Sequence, residues 1–524
     1  MKTPRPKLAL LKNGYSLPLD SLPDLGIGDF QETILAATAE GQRVCALFGA
    51  AEGGAVGSAH NAGAASATSS STTLYLVLAD DERNILHVGR TRIEGPGFPS
   101  LASRCPQVHL FEREIAEQFG LVPEGHPWLK PVRYRRSWTG RDAWNRSAAK
   151  ALLPGVGDFY RVEGDQAHEV AVGPVHAGVI EPGHFRFQCH GEKVFHLEIA
   201  LGYQHRGVEE AMMGGPGPRS LHYMETAAGD TTIAHATSYS QLVEAFSRTQ
   251  KPARAQMLRG VALELERLAN HVGDLGALSG DVGFLPTASF CGRIRGDFLN
   301  LTAFLCGNRF GRGFVRPGGV GFDLDAPMIE ELLRRLSKLE KETTNAVELL
   351  WSNQSVMARF EDTGPLPTEV AAELGIVGPA ARASGLIRDA RYDQPSGIFR
   401  FAQIPVSTCD SGDVFARAYV RWMEIRQSIS FIREQLSALP SGDVKAKPGA
   451  LAPEAFGVAI NEGWRGEVCH VALTDGRGAF SRYKIVDPSF HNWSGLAQVL
   501  RGQEISDFPL CNKSFNLSYC GFDL

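Results

Sequence analysis

The sequence predicts an α+β protein: an α/β domain at the N-terminus, then a mainly helical bundle with β-hairpins at both of its ends. Three observations predict it. Short apolar, β-branched segments at 41–48, 73–79 and 84–91 precede a helical segment at 109–120. Apolar residues at three- and four-residue steps then mark long helices, clearest in Leu258, Val261, Leu265, Leu268, Val272 and Leu275. Near the end, 466–473 and 479–486 flank Asp475-Gly476, a hairpin signal.

The first domain is read over 1–137. Between its first two strands lies GAAEGGAVGSAHNAGAASATSSST (49–72), which carries too little apolar surface to order itself and reads as a flexible insertion. Gly125-His126-Pro127 marks a turn after the helix. Residues 138–165 are polar and irregular and read as a linker. The second domain, 166–524, opens with extended segments at 167–175 and 185–198 around the turn Glu181-Pro182-Gly183-His184, with a second turn at Gly191-Glu192. Further stripes at Ile329, Leu332, Leu336 and Leu339, and from Phe415 through Trp422 and Ile429 to Leu436, are helix faces packed in the core.

Composition narrows the function. A net charge of -5 argues against a nucleic-acid partner. No apolar run is long enough to span a bilayer, and the N-terminal apolar stretch is too short for a secretory signal. A cytoplasmic location is expected. The nine cysteines include no CxxC pair, so they read as buried thiols, and an iron-sulfur cluster held by this chain alone is not expected.

Seven segments in order, among them GPVHAGVIEPGHFRFQCHGE (173–192), YQHRGVEE (203–210), LERLANHVGDLGALSGDVGF (265–284) and DPSFHNWSGL (487–496), resemble the large subunit of group 4 nickel–iron hydrogenases. They resemble the 49-kDa subunit of complex I less closely. HLFEREIAEQFGLVPEGHP (109–127) resembles the signature of the complex I 30-kDa subunit. This order in one chain is similar to the fused arrangement of formate hydrogenlyase large subunits.

The resemblance implies four metal-binding cysteines in two CxxC pairs. The first pair falls in the stretch Thr226 to Tyr239, in which His235, Thr237 and Tyr239 keep the register, and its cysteine positions are Ala228 and Thr231. The second falls at the C-terminus. Aligning on Asp523 puts Ser518 and Gly521 at the ligand positions, with Cys520 one residue off. Soft metals take thiolates; alanine and glycine offer no donor and hydroxyls are poor ones. No nickel–iron centre and no cofactor bound by this chain are expected. The family's hydrogenases often carry a tail removed during metal insertion, and a chain stopping here agrees with one that never loads nickel. Whether Cys511 and Cys520 meet in space is left open.

In complex I the same cavity heads the quinone pocket. The family's quinone-contacting tyrosine position is Gly229; His176 matches one histidine of the site, but Ile180 stands where the second belongs. A quinone would need its contacts from His184, His235 or Tyr239. Glu181 resembles a proton-passing glutamate, with a turn residue as the alternative. His184 and Arg186 share its hairpin and point toward the cavity or an iron-sulfur partner. His205 and Arg206 correspond to the region facing a partner's 4Fe-4S cluster, where a cation would raise the cluster's potential; a surface salt bridge is the alternative. Asp281 matches an aspartate between the cavity and the membrane arm, with helix capping as the alternative. Glu112, Arg113 and Glu114 are expected at the interface between the two domains, and Arg316-Pro317-Gly318-Gly319 forms a tight scaffold turn.

Three functions follow from the resemblance. The first is a peripheral-arm subunit on the cytoplasmic side of the cell membrane, without nickel, docked on a 4Fe-4S small subunit and antiporter-like membrane subunits, taking part in electron transfer coupled to ion translocation. The second is an NAD(P)H:quinone oxidoreductase subunit with a rebuilt quinone site. The third is a redox-inactive scaffold.

Overall fold

The structure, a computed structural model, describes residues 8–51, 71–146, 152–176 and 180–524. The chain begins with β1 (Ala9–Leu11), β2 (Tyr15–Pro18), β3 (Asp24–Leu25) and α1 (Ile27–Ala39), whose Phe30, Ile34 and Ala37 face inward. β4 (Arg43–Ala51), β5 (Thr72–Asp80) and β6 (Ile85–Ile93) follow, then β7 (Gly97–Pro99), α2 (His109–Phe119) and β8 (Val122–Glu124). Neither α1 nor the strands before it were legible in the sequence. Of the 49–72 tract, the ends belong to β4 and β5, and 52–70 lie outside the described residues.

The first sheet has the order β1-β6-β5-β4, with β3 alongside β6. Its long pairs are antiparallel, and only β3 runs parallel to its neighbour. α2 ends where Gly120 takes the left-handed conformation that a helix C-cap favours.

Among the described residues from 125 to 166 there is no helix or strand, yet the segment is fastened. The Trp138 N–H and the Thr139 hydroxyl donate to the carbonyls of Gln118 and Phe119. Farther along, the Tyr160 N–H donates to Glu198 and the Val162 N–H to Gln188.

β9 (Ala167–Val172), β10 (His184–His190) and β11 (Lys193–Ala200) form an antiparallel sheet in the order β11-β10-β9. The turn read at Gly191-Glu192 is present, with Gly191 at φ +57°, and it divides the extended segment read as 185–198 into two strands. Short helices α3 (Val208–Met212) and α4 (Ser220–Glu225) lead to α5 (Thr232–Phe246), α6 (Ala253–Asp281) and α7 (Leu285–Cys306). β12 (Val315–Arg316) and β13 (Gly319–Val320) pair across the Pro317-Gly318 turn before α8 (Ala326–Trp351). α9 (Gln354–Phe360), α10 (Thr368–Glu373), α11 (Gly378–Ala383) and α12 (Ala390–Asp393) precede α13 (Val414–Ser437), whose N-cap Asp413 accepts from the Ala416 N–H.

β14 (Ala455–Gly463), β15 (Gly466–Thr474) and β16 (Phe480–Val486) are followed by α14 (Pro488–Val499), α15 (Phe508–Phe515) and α16 (Tyr519–Asp523). The hairpin read around Asp475-Gly476 is present, but it belongs to a four-stranded sheet, β16-β15-β14-β2. Its outer strand comes from the chain's beginning: Val458 stands opposite Tyr15 and Ala455 opposite Pro18.

α6 is the central helix and is buried on nearly every side. Its charged flank is neutralised by neighbours. His271 and Arg267 meet Glu424 of α13 at 2.8 and 3.4 Å, Arg391 bonds Glu264, and Asp274 accepts from Arg421 at 2.7 Å. The two units are joined by a second buried group. Lys484 of β16 places Nζ 2.7 and 2.6 Å from the carboxylate oxygens of Glu114, which also pairs with Arg133. Glu112, by contrast, accepts from Ser100 and the Leu101 N–H within the first unit.

Candidate functional site

Three distant stretches meet at one junction: the turn at Glu181, the start of α5, and the C-terminal segment around α16. Arg206 ties two of them. Its Nη1 donates to the Thr226 carbonyl at 2.7 Å and its Nη2 to the carbonyls of Ala227 and Cys520 at 2.8 and 3.0 Å. The guanidinium remains exposed. His205 Nδ1 bonds the Asp523 carbonyl at 2.8 Å, and the Asp523 carboxylate accepts the N–H groups of Gly202 and Gln204. Burial raises that carboxyl to about 6. Burial, with Arg133 close by, lowers the His205 imidazole to about 4, so it is neutral at pH 7.

Each matched ligand position now has other work. Ala228 is fully buried. Thr231 donates its hydroxyl to Asp230 and receives an N–H from Arg465, whose two terminal nitrogens clasp the Asp230 carboxylate at 2.5 and 2.7 Å. Burial alone would raise the Asp230 carboxyl, but the Arg465 guanidinium outweighs it and holds it below the usual range. Ser518 caps α16 by accepting the Gly521 N–H at 2.9 Å. At Gly521 itself a Cβ would lie 2.7 Å from both Cγ and Oδ2 of Asp487. The space a cysteine side chain needs there is filled by a carboxylate.

Asp487 is held from two sides. Its Oδ1 caps α14 through the Ser489 N–H at 2.8 Å, and its Oδ2 lies 3.1 Å from Nε2 of His235. Nδ1 of His235 is 3.0 Å from Nε2 of His470, and Nδ1 of His470 is 2.9 Å from the Tyr483 hydroxyl. Asp487, His235, His470 and Tyr483 thus form one buried row in which each polar atom lies within hydrogen-bond distance of the next. Burial and the neighbouring His235 push the His470 imidazole well down. His470, Tyr483, Asp487, Asp230 and Arg465 were not singled out from the sequence. The one local signal was Asp487-Pro488, the signature of an N-cap followed by proline.

Cys520 is the one thiol at the junction. Its sulfur lies 3.4 Å from Ser518 Oγ, beside the Glu181 carboxyl and the Gly229 N–H, and burial pushes it up to about 11. Cys511 sits elsewhere, against Gly364 and Arg417, and all nine cysteines are free. To a soft metal the junction thus offers one thiol among hydroxyls and carboxylates, a donor set that does not suit a thiolate-held centre.

The other sequence-derived candidates divide. Glu181 and His235 reach the junction. His184 is buried, its Nδ1 3.1 Å from the Gly173 carbonyl and its Nε2 3.3 Å from Nε of Arg186, while Arg186 also pairs with Glu169. Both ring nitrogens of His184 and of His235 are thus engaged within the protein. Tyr239 is buried in α5, and burial raises its hydroxyl to about 12. Gly229 opens to solvent, with nothing within 4 Å of a Cβ built on it. Asp281 lies apart, exposed as the last residue of α6, where the helix dipole disfavours a carboxylate; the helix is closed instead by the N–H groups of Gly283 and Phe284, which donate to the carbonyls of Gly280 and Ser279. Cavities of about 480, 360 and 340 Å³ are not lined by Glu181, Thr231 or Cys520, though the last of them touches Phe522 of α16.

Residues 281–455 match the family described as respiratory-chain NADH dehydrogenase, 49 Kd subunit, and residues 55–145 match respiratory-chain NADH dehydrogenase, 30 Kd subunit. Formate hydrogenlyase subunit 5 of Escherichia coli is 29% identical over 434 residues, 81% of this chain and 76% of that protein. The membrane-bound hydrogenase subunit alpha of Pyrococcus furiosus is 29% identical over 365 residues, 66% of this chain and 85% of its own. An NADH-quinone oxidoreductase subunit of Herpetosiphon aurantiacus is 30% identical over 348 residues, 65% of this chain and 94% of its own. The chain belongs to the family of the respiratory-chain NADH dehydrogenase 49-kDa subunit and its hydrogenase relatives, with a domain of the 30-kDa type fused in front.

Proposed function

We propose that the chain is the large peripheral subunit of a membrane-associated, energy-converting oxidoreductase, and that it works without a nickel–iron centre. The observation that carries this reading is the Asp487 carboxylate standing where a side chain at Gly521 would begin. Arg465 and Asp230 beside Thr231 support it, because a fixed ion pair takes the place of a thiolate. No helix among the described residues is long and apolar enough to cross a membrane, so membrane association would come through partners.

On this reading the chain sits on the cytoplasmic face, between a small subunit bearing a 4Fe-4S cluster and antiporter-like membrane subunits. Electron transfer there is coupled to ion translocation. The exposed Arg206 presents a cation to the small subunit, which raises the potential of a cluster docked against it. Glu181, beside the Cys520 sulfur at the surface, is the group placed to exchange protons with the junction. Engagement of both nitrogens of His184 and His235 argues against either as a contact to a quinone head.

Anaerobic purification of the intact complex followed by metal analysis tests the proposal. Iron from the partner's cluster without stoichiometric nickel, and no hydrogen evolution, are expected. One nickel per chain overturns it. In the same complex, Arg206→Gln should lower the cluster's reduction potential while leaving assembly intact.

A further inference from the structure

Where the first unit meets the second, α2, the segment 126–134, β11 and α14 surround a cavity of about 340 Å³ that also touches Phe522 of α16. Its walls are largely apolar, with Leu110, Leu197, Leu201, Ala497 and the Trp493 ring among them. Its charged lining is mostly cationic. Arg113, Lys130 and Arg501 bring three cations, and Glu198 is the one carboxylate. That carboxylate is already taken by Lys130, the Trp128 indole N–H and the Tyr160 N–H.

Arg113 is left without a counter-ion. Its Nε and Nη2 donate to the carbonyls of Lys130 and Pro131 at 2.8 and 3.0 Å, and among the described residues no carboxylate stands within ion-pair distance. The guanidinium is half-buried, and burial lowers its pKa although Glu198 and Glu117, farther off, act the other way. The Trp493 indole N–H, buried in the same wall, has no hydrogen-bond partner among the described residues. His109 and His126 add no charge, because burial lowers them to about 3 and about 4. An apolar space with a half-buried guanidinium that no carboxylate pairs directly, and a free indole N–H, is complementary to an anion with an apolar body.

We propose that this cavity between the two units is a binding site for a small aromatic or similarly compact monocarboxylate, with Arg113 as its counter-ion. The occupant touches α2 on one side and β11 and α14 on the other, so binding also fastens the two units together.

Calorimetric titration of the full chain with 2-naphthoate, and with the uncharged 2-naphthamide as its isostere, is the test. Saturable 1:1 binding of the carboxylate is expected, with the amide at least ten-fold weaker. Ala497→Phe, which fills the space from α14, should abolish binding without lowering the melting temperature. Arg113→Gln should weaken binding by at least ten-fold; if that variant fails to fold, the amide and Ala497→Phe decide. Absence of saturable binding at millimolar carboxylate, equal affinity for the amide, or unchanged binding in Ala497→Phe overturns the proposal.

Discussion

Gly521 has room for a hydrogen and nothing larger, since the Asp487 carboxylate begins 2.7 Å from where a Cβ would stand. Restoring a thiol there is therefore a steric problem before it is a coordination problem. Gly521→Cys should destabilise the protein by about 1–3 kcal/mol, the usual cost of overpacking a closed site. Urea unfolding of the two proteins side by side measures it, and equal midpoints would mean that Asp487 moves aside freely. Ligand positions aligned on the sequence revealed which thiols were missing. They did not reveal what replaced them, because Asp487, His470 and Arg465 reach the junction from the cap of α14, from β15 and from the turn before it. Only the folded sheet brings those side chains beside Thr231 and Ser518.

The start of α5 shows how one element leans on another. Its N-cap, Thr231, makes no side-chain cap. Glu266 of α6 serves instead, accepting from the N–H groups of Ile233 and Ala234 at 2.7 and 3.4 Å. A helix N-terminus favours an anion, yet burial dominates and raises this carboxyl to about 8. A folded-state value above the unfolded one, about 4.3, means that the folded state holds the extra proton. Glu266 thus contributes most stability below about pH 4.3 and loses it as pH rises toward 8. Glu266→Gln, fixed in the neutral form, should flatten the fall of melting temperature between those limits. An unchanged slope would place the proton elsewhere.

At this scale the sequence was read well where apolar periodicity is local. The stripes of α6, α8 and α13 face the core as expected, with only Ile329 and Phe415 of the named residues partly exposed. It was read poorly where burial is two-sided or pairing is distant. β14 is buried along both faces and so shows no alternation. The charged flank of α6 looks solvated in sequence, because its counter-ions come from α13 and the segment before it.

For the whole molecule, the contact between the two units is ionic at its centre. Glu114 serves Lys484 and Arg133 together, all three buried. Glu114→Gln leaves two cations sharing what remains and should cost about 3–5 kcal/mol, the range for breaking a buried pair. Chemical denaturation followed by both tryptophan fluorescence and far-UV dichroism reads the loss; a change under about 1 kcal/mol would show that the pair is solvated in practice. Of Glu112, Arg113 and Glu114, expected from the sequence at the interface, Glu114 is the one that reaches across to pair with Lys484. The strand at Tyr15–Pro18 also limits how this polypeptide can be divided. A gene cut within 138–165 would yield a downstream fragment with a raw margin along Ala455–Val458, its N–H and carbonyl groups unpaired and open to self-association. Made together, the fragments should co-purify as a reconstituted pair, the leading piece acting as a clasp; made alone, the downstream fragment should precipitate.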